Sequence, residues 1–122
     1  MAKILLVDDD TDFVEINRTL LEKQGYNVVA GHNPKEGMDL LKKEKPDLLI
    51  LDVMMEEADD GFAMAQKIRR EGNKIPIIML TSIAKITGQS YGKDNAMVPV
   101  DEFFEKPVQA EKLLKAVKKY LK

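Results

Sequence analysis

Cysteine is absent from this 122-residue chain, so neither a disulfide framework nor a thiolate metal site is possible. Histidine occurs once, and we interpret that residue, His32, as part of a surface loop after an edge strand. No apolar run approaches membrane-spanning length and no signal peptide precedes the first strand-like segment, which predicts a cytoplasmic protein without a membrane partner. A net charge of −2 gives no general attraction to polyanions, so direct nucleic-acid binding is not expected.

The chain is long enough to bury a hydrophobic core without help from disulfides or structural metals. Its apolar fraction of 44% is typical of a globular protein. We find no internal repeat, no linker and no low-complexity segment. The sequence therefore predicts a single domain over residues 1–122, with no second domain attached.

The stretch from Asp47 to Met55 organises the rest of the chain. Leu48 to Leu51 is an unbroken apolar run of strand length, which indicates a strand buried on both faces, as in a parallel sheet covered by helices. The run ends in a carboxylate, Asp52. Because functional groups of open parallel sheets collect at the carboxyl ends of the strands, Asp52 is a candidate active-site residue.

Strand-like and helix-like segments alternate five times along the chain, with short connections. This alternation predicts a doubly wound α/β sheet with helices on both faces. Between the fourth and fifth strands, Gly88, Gly92 and Pro99 interrupt any helical pattern in residues 83–100. We therefore expect the fourth helix to be short or irregular.

Two helix starts carry capping signals. Asp10 or Thr11 can cap the first helix, and Asn33 followed by Pro34 and Glu36 has the pattern of a capping box. The helical spacing of apolar residues predicts that the inward face of the first helix contains Phe13, Ile16, Leu20 and Leu21.

Polar groups follow four of the predicted strands, and in a parallel sheet all four sets meet at one edge. Clustered carboxylates repel one another and raise each other's pKa unless a cation offsets them. Oxygen donors suit a hard ion, and Mg²⁺ best. A metal beside a carboxylate nucleophile, a hydroxyl and a lysine is an arrangement for phosphoryl transfer. The groups are Asp8-Asp9-Asp10, Asp52, Thr81-Ser82 and Lys106.

In the order and spacing of these groups, nearly the whole chain resembles the receiver domain of two-component response regulators. The resemblance implies a flavodoxin-like three-layer sandwich with a five-stranded parallel sheet in the order 2-1-3-4-5. Because the chain stops with its last predicted helix, we expect a stand-alone receiver without an output domain. The matching residues are Asp8, Asp9, Asp52 within Leu-Asp-Val-Met-Met, Thr81, and the pair Lys106-Pro107.

By this resemblance, Asp52 accepts a phosphoryl group from a sensor histidine kinase or a phosphotransfer protein. Asp9 and Asp52, together with the backbone carbonyl of Met54, are expected to hold Mg²⁺, while Asp8 acts through water. The chain is then a phosphoacceptor with self-catalysed phosphoryl transfer and slow autodephosphorylation, rather than an enzyme that turns over a substrate.

The resemblance also implies a switch. Lys106 pairs with the phosphoryl group, and its peptide bond to Pro107 is expected to be cis. Thr81 moves toward the phosphoryl group, and Phe103 occupies the position of the family's mobile aromatic residue. A downstream protein, unidentified by the sequence, would read the resulting change of surface.

Two alternatives remain open from the sequence. A phosphohydrolase of the haloacid dehalogenase type also uses a strand-end aspartate, Mg²⁺, a hydroxyl and a lysine, although Asp12 stands where its motif has Thr or Val. A receiver-fold interaction module that works without phosphorylation is the second alternative.

Overall fold

The structure is a computed structural model that describes residues 2–52, 60–82, 100–106 and 109–121. The predicted short or irregular helix in residues 83–100 lies outside the described ranges, except for Val100. None of the helices in these four ranges has the length and apolar character of a membrane span. In chain order the elements are β1 (Lys3–Val7), α1 (Thr11–Lys23), β2 (Asn27–Gly31), α2 (Pro34–Glu44), β3 (Leu48–Asp52), α3 (Asp60–Arg70), β4 (Ile77–Ser82), β5 (Glu102–Lys106) and α4 (Ala110–Tyr120).

The five strands form one parallel sheet in the order β2-β1-β3-β4-β5. This order confirms the predicted doubly wound α/β fold. The central strand, β3, lies between β1 and β4, with Leu51 opposite Val7 and Asp52 opposite Leu80. Because every strand runs in the same direction, all the carboxyl ends lie along one edge of the sheet.

Successive side chains of β3 enter two separate cores. Leu49 and Leu51 pack with residues of α2 and α3, whereas Leu48 and Ile50 pack with residues of α1 and α4. All four side chains have no exposed surface. A strand covered by helices on both faces has no polar alternation, which explains the continuous apolar run in the sequence.

The inward face of α1 differs from the sequence prediction at Ile16, which is 68% exposed. Val14, Asn17 and Leu21, spaced by three and four residues, are the buried positions. Ile16 lies about 100° around the helix from Asn17, so it falls outside this stripe. The buried amide of Asn17 donates a hydrogen bond to the carbonyl oxygen of Phe13 at 2.8 Å. A satisfied polar residue in the stripe made the apolar pattern misleading.

Both predicted helix caps are present. The carboxylate of Asp10 accepts hydrogen bonds from backbone N–H groups in the first turn of α1. Asn33 accepts one from the backbone N–H of Glu36, and Pro34 is the first residue of α2. The Glu36 carboxylate accepts from the backbone N–H of His32 at 2.8 Å, one residue before the cap, so the capping box is shifted. This hydrogen bond is the main cause of the lowered pKa of Glu36.

A polar cluster connects four elements at the amino-terminal ends of β4 and β5. The Asp101 carboxylate accepts hydrogen bonds from the backbone N–H of Ile77 at 2.8 Å and from the Arg69 guanidinium of α3 at 3.0 Å. The Tyr120 hydroxyl, at the end of α4, lies 2.8 Å from a Glu102 carboxylate oxygen and 3.0 Å from the Asp101 carbonyl oxygen. These bonds hold the edge strand β5 at the end opposite Asp52.

We expect Tyr120→Phe to lower the free energy of unfolding by about 1 kcal/mol at neutral pH, the usual net contribution of one hydrogen bond. Burial, followed by the hydrogen bond to Glu102, raises the pKa of Tyr120 to about 12. A tyrosine in the unfolded chain titrates near pH 10. The stability from the protonated phenol is therefore complete below about pH 10 and is lost as the pH rises toward 12.

Urea unfolding followed by circular dichroism from pH 7 to about pH 11 measures both effects. Wild type should lose stability above about pH 10 more steeply than Tyr120→Phe. Tyr26→Phe is the matched control, because the hydroxyl of Tyr26 has no hydrogen bond within the described ranges. Equal stabilities and equal pH slopes for wild type and Tyr120→Phe would contradict the assignment.

Candidate functional site

Two adjacent strands bring three carboxylates together at the carboxyl edge of the sheet. Asp8 directly follows β1 and is fully buried, while Asp52 is the last residue of β3 and is 5% exposed. Asp9, the next residue after Asp8, is exposed. One carboxylate oxygen from each of the three lies within 4.8 Å of the others. The sequence prediction that these side chains cluster is therefore met by the geometry.

Backbone hydrogen bonds fix the chain around Asp8. Its N–H donates to the carbonyl oxygen of Gly31 at 3.1 Å, which extends the pairing of β1 with β2 by one residue. Its carboxylate accepts from the backbone N–H of Asp10 at 2.9 Å, so the turn into α1 orients this side chain.

A Cβ on Gly31 would lie 3.2 Å from the backbone nitrogen of Gly37, a close approach that favours glycine there.

The donor set fits Mg²⁺. All three groups offer carboxylate oxygens, and two of them lie in a buried position where like charges repel strongly. Mg²⁺ accepts one or two carboxylates and keeps several waters. The exposed Asp9 carboxylate would offer a ligand oxygen on the solvent side of the cluster, where waters and a phosphoryl group would enter. The cluster therefore has the chemistry of a magnesium site.

The sheet register carries the backbones of Thr81 and Lys106 to the same edge. Asp52 is opposite Leu80, so Thr81 lies one residue further along the neighbouring strand. Ser82 is opposite Lys106 at the carboxyl end of β5. All four strand ends that carry predicted functional residues thus lie side by side.

Several predicted features lie outside what the structure describes. They are the Met54 carbonyl, the peptide bond to Pro107, and the positions of the Thr81 and Lys106 side chains. Their roles as metal ligand, cis-proline, switch hydroxyl and phosphoryl-binding ammonium stay predictions.

Phe103 is partly buried against the core formed with α2 and α3. Its ring stacks on Phe62 of α3, with the ring centroids 6.4 Å apart and an angle of 24° between the planes. Apolar patterning carries no signal for this pairing, because the two residues are 41 positions apart in the sequence. Any movement of Phe103 would therefore change its contact with α3.

Comparison with known proteins identifies the family. The model of the response regulator receiver domain matches residues 4–118. This chain belongs to the receiver family. Receivers are signalling domains of two-component systems and are phosphorylated by histidine kinases or phosphotransfer proteins.

Curated relatives support the same membership for this receiver. The probable transcriptional regulator ycf27 of Porphyra purpurea is 33% identical over 120 residues, covering 98% of this chain and 47% of that protein. The response regulator MprA of Mycobacterium bovis is 33% identical over 121 residues, covering 99% of this chain and 51% of that protein. The receiver thus spans about half the length of these relatives.

Solved structures have the same fold as this receiver. The chemotaxis protein CheY4 of Vibrio cholerae superposes with a TM-score of 0.83 at 29% identity, covering 98% of both chains. A putative response regulator of Chloroflexus aurantiacus has a TM-score of 0.84 at 28% identity, covering 98% of this chain and 97% of that one.

Proposed function

We propose that this receiver accepts a phosphoryl group on Asp52, in a Mg²⁺-dependent reaction, from a histidine kinase or a phosphotransfer protein. The observation that carries the proposal is the cluster of Asp8, Asp9 and Asp52 carboxylates within 4.8 Å, in a chain of the receiver family.

In the proposed reaction, a carboxylate oxygen of Asp52 attacks the phosphorus of a phosphohistidine. The phosphorus–nitrogen bond breaks, the donor imidazole keeps the electron pair and takes up a proton, and an acyl phosphate forms on Asp52. Asp9, Asp52 and the Met54 carbonyl would hold Mg²⁺, with Asp8 acting through water. When bound, Mg²⁺ supplies positive charge that offsets the carboxylates and the transferring group.

The remaining residues would bind the product and transmit the signal. The Lys106 ammonium pairs with the phosphoryl group, and the Thr81 hydroxyl donates a hydrogen bond to one of its oxygens. Phe103 then moves inward and alters the surface formed by β5 and α4. A downstream protein would bind that altered surface. The single-domain organisation and the cytoplasmic location stay predictions.

The direct test is to incubate the protein with acetyl phosphate and follow its intact mass, with Mg²⁺ and with excess chelator. We expect one phosphoryl group per chain, formed only with Mg²⁺. A phosphohydrolase would instead release phosphate over many turnovers per chain, with no phosphoryl group retained in the intact mass. A phosphorylation-independent interaction module would gain no mass. Either result would contradict the proposal.

A further inference from the structure

A groove of about 410 Å³ lies between α2 and α3, on the helices that cover one face of the sheet. Its floor contains Met38 from α2 and Met64 from α3. Three lysines, Lys35 and Lys42 of α2 and Lys67 of α3, line it as well. The groove therefore combines an apolar floor with a basic rim.

The apolar floor follows from the way in which α2 packs. Gly37 faces β1 without a side chain, and a Cβ there would lie only 2.8 Å from the Cε of Met64 and 3.0 Å from Val7. The missing side chain lets α2 come close enough for Met64 to fill the space beneath it. Met38 is only partly buried against the same core. Methionine side chains are flexible and polarisable, so they can adapt to an incoming apolar group.

The charge on the rim is positive. Lys35 and Lys42 are seven residues apart, about two helical turns, and so share one face of α2. Within the described ranges, none of the three groove lysines has a carboxylate within 4.0 Å, whereas Lys3 forms an ion pair of 2.9 Å with Glu44.

One acid, Asp39, also lines the groove, which leaves lysines in excess by three to one. An anionic partner could therefore neutralise the rim.

We propose that this groove docks an acidic segment of a partner protein. One large apolar side chain of the segment enters between Met38 and Met64, while its carboxylates face the groove lysines. The volume is sufficient for one or two side chains. A polypeptide fits better than a nucleic acid, because the floor is apolar and the chain as a whole carries a net charge of −2.

This inference goes beyond phosphorylation at Asp52, so its test uses the unphosphorylated full chain. The probe is a synthetic acidic peptide of glutamate and alanine with one central leucine. Methyl spectra of protein labelled at the methionine methyl groups should show shifts for Met38 and Met64, assigned through Met38→Leu and Met64→Leu. Replacing the leucine of the peptide by serine should weaken binding at least roughly tenfold, as expected for loss of one buried aliphatic side chain.

Charge reversal tests the rim. We expect the groove variant, Lys35→Glu with Lys42→Glu and Lys67→Glu, to bind the peptide at least roughly tenfold more weakly than wild type. All three lysines are exposed, so the variant should fold normally, and thermal unfolding checks this. Affinity should also fall as the salt concentration rises, because the rim charges are screened.

The matched control, Lys112→Glu with Lys115→Glu and Lys118→Glu, makes the same charge change on exposed positions of α4. It should leave the affinity within about twofold of wild type, because screening weakens charges beyond a Debye length. Equal losses of peptide affinity in both variants, or a loss of affinity in the control alone, would overturn the proposal. So would a short DNA duplex that shifts the same two methyl groups and binds more tightly than the peptide.

Discussion

Asp52→Asn should abolish phosphorylation by acetyl phosphate in the presence of Mg²⁺. An amide oxygen has no full negative charge and does not attack phosphorus as a carboxylate does. The replacement has nearly the same size and keeps a polar side chain at the end of β3, so the fold should remain. Asp52→Asn should therefore block phosphoryl transfer without unfolding the protein, and the mass of the phosphoryl group should be completely absent.

Intact-mass measurements of wild type and Asp52→Asn over a time course decide the point. Asp12→Asn is a matched control: it makes the same chemical change in the first turn of α1, on an exposed residue outside the carboxylate cluster. This control should be phosphorylated at the wild-type rate. An Asp52→Asn variant that still gains a phosphoryl group at that rate would place the acceptor elsewhere.

The sheet and the position of Asp52 could be predicted because both depend on local patterns. A four-residue apolar run without polar alternation indicates a strand buried on both faces, and Leu48 to Leu51 are fully buried. Parallel strands then bring the strand-end residues to one edge. The strand order itself came from the family resemblance, since apolar patterning does not specify which strands are neighbours.

Contacts between distant residues could not be predicted in the same way. Arg69 and Asp101 are 32 residues apart, and each taken alone would be interpreted as an ordinary charged surface residue. The stacking of Phe62 on Phe103 likewise depends on how α3 packs beside β5. On α1, the buried Asn17 broke the expected pattern because its amide is satisfied within its own helix. Such features depend on tertiary packing, which a single sequence does not encode locally.

Mg²⁺ should stabilise the wild-type protein, and Asp9→Asn should reduce that gain. An ion that binds only the folded state adds about 2.7 kcal/mol to the free energy of unfolding at one hundred times its dissociation constant. Asp9 is the exposed member of the three-carboxylate cluster. Removing its charge takes away one proposed ligand, so the same Mg²⁺ concentration should add less stability. Phosphorylation by acetyl phosphate should slow in parallel.

In metal-free buffer, Asp9→Asn should maintain or raise the free energy of unfolding relative to wild type. The carboxylates of Asp8 and Asp52 lie close to that of Asp9, and removing one of three like charges relieves their repulsion. We expect Asp9→Asn to be as stable as wild type without metal, or more stable by up to about 1 kcal/mol, the repulsion of two unit charges about 4 Å apart in water.

Urea unfolding of wild type, Asp9→Asn and the control Asp12→Asn, each with Mg²⁺ and with chelator, measures both halves of this prediction. Asp9→Asn should reduce the difference between the free energies of unfolding with Mg²⁺ and with chelator. Asp12→Asn should leave that difference as it is in wild type. If Asp9→Asn unfolds at a lower urea concentration than wild type in chelator, the prediction that carboxylate repulsion destabilises the metal-free protein is wrong. The Asp9 side chain would then stabilise the fold through its local contacts instead.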